Sequence, residues 1–289
     1  MQEATQLNHA PKVRTTPLPS GRPIPLLGQG TWRMGEDTAR RKSEVAALRY
    51  GLDLGMNLID TAEMYGEGGA EEVVAEAIAG RREEVFVVSK VYPHNATRRG
   101  AIEACERSLQ RLKTDYIDLY LLHWRGGVPL VETVAAFEQL KETKKILEHG
   151  VSNFDVSDME EWMGVRGGDE VATNQVLYNL ANRGIEWALI PWSRERRIPI
   201  MAYSPVAQKG IFSDRNLTSI AAEHEATPAQ IALAWVLRER DVIAIPKASQ
   251  PQHIRENRAA LDIELTPEDL AKIDKSFPPP SRKVPLEML

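Results

Sequence analysis

Four residues in the first half of the chain have types suited to donating a proton to a polarised oxygen. Asp60, Lys90 and His123 end the short apolar runs NLID, VFVVSK and IDLYLLH, and Tyr65 follows the first of these runs. Tyrosine in water has a pKa of about 10 and is a poor acid at neutral pH. A neighbouring lysine should lower that pKa, and an aspartate beside the lysine should keep it charged. We therefore expect Tyr65 to donate a proton, as the reduction of a carbonyl group requires.

Polar residues end seven of the apolar runs, including the three runs named above. The other four are Asn153, Gln175, Tyr203 and Lys247. Taken singly, each residue has an ordinary structural explanation: a turn residue, a helix cap, a solvated charge or a hydrogen-bonded side chain in the core. Charged groups are rarely buried without a partner, however, and seven successive strand ends predict a polar cavity. Glu63 and Glu67, near Tyr65, are interpreted as surface charges.

The apolar runs alternate with segments of helical periodicity, and this alternation predicts the fold. Such runs are typical of strands buried on both faces, and we expect them at 25–32, 57–62, 85–91, 117–124, 147–154, 172–177, 198–204 and 242–247. Helices are expected at 38–54, 69–79, 97–112, 130–143, 156–163, 184–196, 228–240 and 251–261. Eight strand–helix units predict an α/β fold, the (β/α)8 TIM barrel, over about 25–276.

Shorter segments complete the predicted single domain, 1–289. Residues 14–27, with Ser20-Gly21 at a turn, predict a β-hairpin before the barrel, and 277–289 predict a short irregular tail over one end. A doubly wound dinucleotide-binding fold is disfavoured because Gly28–Gly30 (GQG) lacks the third glycine of its phosphate-binding turn. The active site of a barrel lies at the carboxyl ends of its strands, where the seven polar residues fall.

Composition excludes several classes of protein. The chain has 289 residues, of which 43% are hydrophobic and 27% charged, and a net charge of −5. These values are typical of globular proteins and predict neither a nucleic-acid nor a membrane surface. No apolar run is long enough to span a membrane, and the first twenty residues lack the apolar core of a secretory signal peptide. Cys105 is the single cysteine. We expect a cytoplasmic protein. Metal-ligand patterns such as H-E-x-x-H are absent, so no metal is expected.

The motifs in order along the chain resemble those of the aldo-keto reductase superfamily. They are GQGTW (28–32), LIDTAEMYGEGGAEEVVAEA (58–77), VSKV (88–91), DYIDLYLLH (115–123), GVSNF (150–154), TNQVLY (173–178), AYSPV (202–206) and the segment 245–257. The resemblance covers 18–270, and the start GQGTW…MGED is similar to bacterial members close to methylglyoxal reductases.

The resemblance implies roles for individual residues. Tyr65 would be the general acid, Asp60 and Lys90 would tune it, and His123 would bind the substrate carbonyl beside the walls formed by Trp32 and Trp124. The residues implied to contact the cofactor are Thr31, Trp32, Asp60, Ser152, Asn153, Gln175, Tyr203, Ser204, Pro205, Val206, Gln208, Gly210, Lys247, Ala248, Ser249, His253, Glu256 and Asn257.

The implied function is NADPH-dependent reduction of aldehydes or ketones to alcohols by a monomer. Lys247 and Ser249 match positions that bind the 2′-phosphate of NADPH. His253 stands where many members have arginine, so NADH is expected to bind more weakly rather than not at all. The short tail implies an open site for small 2-oxoaldehydes such as methylglyoxal and for aromatic aldehydes. His149 is interpreted as a core residue, and Tyr92 and His94 either line the pocket or pack at its rim.

Two other functions stay open. One is a regulatory subunit on the same barrel that binds a nicotinamide nucleotide with little turnover, against which the four intact catalytic residues argue. The other is a hydrolase or isomerase, for which the sequence supplies neither a metal cluster nor a glycine-rich phosphate site.

Overall fold

The computed structural model describes residues 13–207 and 210–289. Eight parallel strands form one sheet in sequence order: β3 (Gly28–Gly30), β4 (Leu58–Asp60), β5 (Phe86–Val91), β6 (Ile117–Leu122), β7 (Ile146–Ser152), β8 (Asn174–Leu177), β9 (Ile200–Tyr203) and β10 (Val242–Ala244). The sheet closes on itself because Leu27 pairs with Ala244 and the Gly30 amide donates to the Pro246 carbonyl at 3.1 Å. The chain therefore folds as the predicted (β/α)8 barrel.

Gly30 shows why the closing seam needs a residue without a side chain. A Cβ atom at this position would lie 2.7 Å from the carbonyl oxygen of Ile245, which is backbone and cannot move aside. Glycine therefore lets β3 approach the segment after β10, next to the carboxyl ends of the strands.

Ten α-helices lie in the described part of the chain and cover the barrel. They are α1 (Arg41–Asp53), α2 (Gly69–Ile78), α3 (Arg98–Leu112), α4 (Leu130–Glu142), α5 (Val156–Met163), α6 (Leu189–Glu195), α7 (Arg215–Glu223), α8 (Pro228–Leu237), α9 (Pro251–Ala259) and α10 (Pro267–Ser276). Local sequence fixes several starts: Asp155 and Thr227 cap α5 and α8 with reciprocal capping boxes, and Pro228 occupies the first turn of α8.

The hairpin before the barrel is confirmed. Strands β1 (Thr15–Pro17) and β2 (Pro23–Pro25) pair antiparallel, and Gly21 has a φ of 85° in the turn between them. Ser20 donates to Glu148 of β7 at 2.7 Å, so the hairpin lies against the amino-terminal end of the barrel.

The structure corrects the bounds of two predicted elements and adds one helix. Strand β3 is much shorter than the predicted 25–32, because Pro25 belongs to β2 of the hairpin. The predicted helix 184–196 is a short 3-10 turn, Gly184–Glu186, followed by α6. Helix α7 was missed: it lies between β9 and α8, where the strand–helix alternation predicts a single helix. No helix among the described residues has the length and apolar character needed to span a membrane.

Candidate active site

A buried ion pair joins the ends of β4 and β5. The Lys90 Nζ atom lies 2.8 Å from each carboxylate oxygen of Asp60, and it also donates to the Thr61 carbonyl at 2.8 Å. The Lys90 side chain is completely buried and that of Asp60 nearly so. Burial raises the pKa of Asp60 and lowers that of Lys90, and the opposite charge of each opposes the shift of the other. The pair thus holds a cationic donor at a fixed place beneath the cavity.

Tyr65 lies directly above this pair. Lys90 Nζ donates to its hydroxyl oxygen at 3.3 Å, so the hydroxyl hydrogen is left to be donated elsewhere. Burial, and after it the charge of Asp60, raise the pKa of Tyr65 well above its ordinary value. The expectation that Lys90 would lower this pKa is therefore wrong: Asp60 offsets the lysine charge, and desolvation of the phenol dominates. Tyr65 is a neutral hydroxyl at physiological pH, which is the form that carries a proton to give.

His123 lies beside Tyr65, just after β6. The two ring centroids are 5.8 Å apart in an edge-to-face arrangement, and the His123 amide donates to the Val91 carbonyl at 3.0 Å. Burial, and the positive charge of Lys90, lower the pKa of His123 to about 2. A neutral imidazole can donate a hydrogen bond from one ring nitrogen but has no spare proton to transfer. Of these two residues, Tyr65 is therefore the one suited to transfer a proton, and His123 to polarise an oxygen.

These residues open into a cavity of about 170 Å³ at the carboxyl ends of the strands. Trp32 and Trp124 form part of its wall, as predicted, together with Asp60, Tyr65, His123, Ser152, Asn153, Tyr203, Ser204 and Lys247. Tyr92 and His94 are not part of this wall; Tyr92 packs behind His123 and Trp124, and His94 lies against Tyr92. His149 is fully buried between Phe137 and Trp162, as predicted for a core residue.

Hydrogen bonds fix the polar side of the cavity. Asn153, which follows β7 with a φ of 58°, donates from Nδ2 to the His123 carbonyl and to the Ser152 hydroxyl, at 3.2 and 3.1 Å. Its Oδ1 atom accepts from the Tyr203 hydroxyl at 3.0 Å. The carboxyl ends of β6, β7 and β9 are thereby joined through one amide side chain. Because these hydrogen bonds already hold the side chains in place, the polar side of the cavity can bind an amide group of a ligand without first rearranging.

A long surface cleft continues from this cavity, with which it shares Trp32, Ser204 and Lys247. The other residues along it are Arg33, Pro205, Val206, Ala207, Phe212, Thr227, Pro228, Ala229, Pro246, His253, Glu256 and Asn257. Lys247 is exposed and forms no ion pair with any residue that the structure describes. A cavity joined to a cleft, with this exposed lysine where the two meet, suits a dinucleotide that has a reactive ring at one end and phosphates farther along.

Several residues predicted to contact the cofactor line neither the cavity nor the cleft. Thr31 is fully buried and donates from its hydroxyl to the Asp60 carbonyl at 2.9 Å. Gln175 is also buried, and its Nε2 atom donates to Asp60 at 2.7 Å. Gly210, Ala248 and Ser249 line neither the cavity nor the cleft. Gln208 lies outside the described residues.

Sequence reasoning missed twelve residues that line the site. Five line the cavity (Gly30, Met64, Ile245, Met288 and Leu289) and seven line the cleft (Arg33, Ala207, Phe212, Thr227, Pro228, Ala229 and Pro246). Arg33 and Met64 neighbour predicted site residues in the chain, so proximity was an available signal. Met288 and Leu289 carry no such signal, and their position contradicts the expectation that the tail leaves the site open. Glu63 is also corrected: it is buried rather than a surface charge, whereas Glu67 is exposed.

Comparison with known proteins agrees with this site. A sequence model of the aldo/keto reductase family matches residues 26–277. The chain is 53% identical over 271 residues to methylglyoxal reductase YeaE of Escherichia coli, covering 92% of this chain and 95% of that protein. It is 33% identical to the glyoxal reductase of Bacillus subtilis over 90% of this chain and 91% of that protein.

Solved structures give the same answer for the fold. An aldo-keto reductase from Klebsiella pneumoniae, solved in complex with NADPH, is 50% identical and superimposes with a TM-score of 0.93, covering 96% of this chain and 99% of that one. The family model spans the whole barrel, and the site holds the ion pair, the neutral tyrosine and the neutral histidine described above. This chain belongs to the aldo/keto reductase family.

Proposed function

We propose that the protein is an NADPH-dependent oxidoreductase that reduces aldehydes and ketones, among them small 2-oxoaldehydes, to alcohols. The observation that carries the proposal is the Tyr65 hydroxyl, which is neutral, held by Lys90 at 3.3 Å, and set beside an uncharged His123 at the wall of a cavity. This arrangement supplies one proton donor and one hydrogen-bond donor to a single oxygen, which is what a carbonyl group needs as it becomes an alcohol.

The residues present fit NADPH. Ser152 and Asn153 offer hydroxyl and amide groups for the carboxamide of the nicotinamide ring, and Tyr203 offers an aromatic face. Along the cleft, Ser204, Pro205 and Val206 would border the pyrophosphate, and Lys247 would bind the 2′-phosphate, with His253, Glu256 and Asn257 near the adenosine. When bound, this cofactor supplies the hydride for the carbonyl carbon.

The chain's own residues supply the proton and the orientation. Tyr65 donates its hydroxyl proton to the carbonyl oxygen, and Lys90, 3.3 Å away, stabilises the negative charge that is left on the phenol oxygen. Asp60 keeps the ammonium of Lys90 in place, and Gln175 donates a hydrogen bond to Asp60. His123 donates a hydrogen bond to the same carbonyl oxygen and so orients the substrate.

The substrate class follows from the walls of the cavity. Trp32, Trp124, Met64, Met288 and Leu289 present apolar surface, which fits a small or flat carbonyl compound better than a polyhydroxylated sugar. Two of the relatives described above are a methylglyoxal reductase and a glyoxal reductase. We therefore propose methylglyoxal and activated aromatic aldehydes as substrates.

Turnover tests this proposal against the alternative of a nucleotide-sensing subunit. NADPH consumption should be rapid with methylglyoxal and with 4-nitrobenzaldehyde. In Tyr65→Phe, kcat should fall by about 10²–10⁴-fold while the Kd for NADPH changes little, because only the proton donor is lost. Tyr116→Phe, which removes a hydroxyl near the amino-terminal end of β6, is the matched control and should keep full activity. Tight NADPH binding with no turnover of any carbonyl would favour the sensing role instead.

The predictions of a single domain, a monomer, a cytoplasmic location, and no nucleic-acid or membrane partner stay predictions.

A further inference from the structure

Glu63 is a buried carboxylate that the chemistry above does not use. It lies between Asp60 and Tyr65 in the chain, and only 8% of its surface is exposed. Taking a carboxylate out of water is costly unless hydrogen bonds or an opposite charge replace its hydration. Its partners therefore indicate what this position stabilises.

The partners of Glu63 lie in the loop that follows β5. Its Oε1 atom accepts a hydrogen bond from the backbone amide of Tyr92 at 2.8 Å and another from Asn95 Nδ2 at 3.0 Å. Its other oxygen, Oε2, is 3.8 Å from Arg107 of α3, whose side chain is about half exposed. The two short contacts thus use one carboxylate oxygen to join the loop that carries Tyr65 to the loop that carries Tyr92.

Tyr92 in turn supports the substrate side of the cavity. Its ring packs edge-on against Trp124, with centroids 5.8 Å apart at 89°, and lies 6.4 Å from the ring of His123. Trp124 and His123 are themselves in contact, 4.9 Å apart, and both line the cavity. A displacement of Tyr92 would therefore be transmitted to the aromatic wall and to the residue that orients the carbonyl.

We infer that Glu63 is a positioning residue for carbonyl binding: it holds the Tyr92 loop so that Tyr92 fixes Trp124 and His123. The inference rests on the proposed function for its kinetic consequence. It does not extend to NADPH, because the residues proposed for the cofactor end or follow β7, β9 and β10. Small misplacements of substrate-orienting groups lower rates steeply, so the effect on kcat/KM should be about tenfold or more.

Three variants and a control separate this role from a general effect on stability. Glu63→Ala removes both short hydrogen bonds and should raise KM for 4-nitrobenzaldehyde, lowering kcat/KM about tenfold, with the Kd for NADPH unchanged. Glu63→Gln keeps a carbonyl oxygen that can accept both bonds and should retain most of the activity. Asn95→Ala removes one of the bonds from the other side and should give a smaller effect of the same kind. Arg107→Ala, which removes the distant charge, is the matched control and should match the wild type.

A double-mutant cycle with Tyr92→Ala completes the experiment. If Glu63 acts through Tyr92, Glu63→Ala should have little further effect on kcat/KM once the Tyr92 ring is gone. In parallel, the indole N–H resonance of Trp124, assigned through Trp124→Phe, should move in Glu63→Ala and stay in place in Glu63→Gln. That resonance needs no turnover, so it tests the inference even if no carbonyl is reduced and the proposed function fails. Additive effects in the cycle, equal losses in the Ala and Gln variants, or an unmoved indole resonance would overturn the inference.

Discussion

A proton-donating tyrosine does not need a lowered pKa when its acceptor is held beside it. Tyr65 keeps its proton because burial and the charge of Asp60 raise its pKa above the ordinary value of 10.0. His123 is neutral because burial and Lys90 lower its pKa to about 2. Neither group therefore changes its charge in the ordinary working range, between about pH 6 and about pH 9.

The pH dependence of catalysis follows from these directions. In the proposed reaction Tyr65 acts in its protonated form, so activity should be present below its pKa and be lost only as the pH rises through that value. We expect kcat/KM for 4-nitrobenzaldehyde, at saturating NADPH, to be nearly flat from about pH 6 to about pH 9 and to fall above about pH 10. A decline centred between about pH 7 and about pH 8 would contradict a raised pKa for Tyr65 and would favour the lowered value that the sequence suggested.

Residue types at strand ends predicted which side chains the barrel brings together, but not their electrostatics. Asp60, Lys90 and His123 could be found because each ends or follows a buried strand, and the barrel brings such positions together. The direction of the Tyr65 pKa shift depends on how far burial outweighs the lysine charge, and sequence does not contain that balance. Glu63 was misassigned for a related reason: its partners Tyr92 and Asn95 lie in another loop, about thirty residues away.

We predict that the segment after β10 carries the discrimination between NADPH and NADH. Lys247 follows β10 at the mouth of the cleft and is free of ion pairs among the described residues. Lys247→Ala should weaken NADPH far more than NADH, because only NADPH carries the 2′-phosphate. The loss of a charge-assisted hydrogen bond corresponds to about 1.5–3 kcal/mol, or roughly 10–150-fold in Kd.

Titration of both cofactors, followed by quenching of protein fluorescence, measures this effect. Lys42→Ala, which removes an exposed lysine from α1, is the matched control and should leave both Kd values unchanged. An equal loss of affinity for NADPH and NADH would mean that Lys247 does not contact the phosphate.

Element order was more predictable than element length. Strands buried on both faces give continuous apolar runs, so all eight barrel strands could be located. Their ends could not, because pairing with a neighbour decides where a strand stops: Pro25 pairs with Thr15 in the hairpin and not with the barrel. Helix α7 did have a local signal, with Asp214 as its cap and Leu217, Ile220 and Ala221 on one face. It was missed because the strand–helix alternation of a (β/α)8 barrel requires only one helix after each strand.

At the scale of the whole molecule, the tail takes part in the site. It runs from Phe277 to the segment between β8 and α6, where Glu287 accepts a hydrogen bond from Asn182 at 2.9 Å. At its end, the Leu289 amide donates to the Tyr203 hydroxyl at 3.4 Å, and Met288 and Leu289 line the cavity. Contacts between positions so far apart in the chain leave no periodic pattern, so the sequence predicted an open site instead.

Substrate choice should therefore depend on the tail. Met288 and Leu289 together add apolar surface to a cavity already walled by Trp32 and Trp124, and each is at least half exposed, so their loss should have a modest effect. The full chain should reduce methylglyoxal and 4-nitrobenzaldehyde with higher kcat/KM than glucose or a 3-ketosteroid. Replacing both residues (Met288→Ala with Leu289→Ala) should raise KM for 4-nitrobenzaldehyde by about 3–10-fold, corresponding to loss of roughly one partly buried side chain. The steroid should lose less, because the enlarged cavity admits it better.

The same four substrates, measured with a control in the same tail, decide this prediction. Val284→Ala truncates an apolar residue that packs over Gly184, outside the cavity, and should leave all four kcat/KM values unchanged. If the double variant matches the wild type for 4-nitrobenzaldehyde, the tail does not contact the substrate. If instead the control variant shifts the substrate ranking as much as the double variant does, residues at the cavity wall contribute no more than residues outside it. The tail would then act through its overall packing.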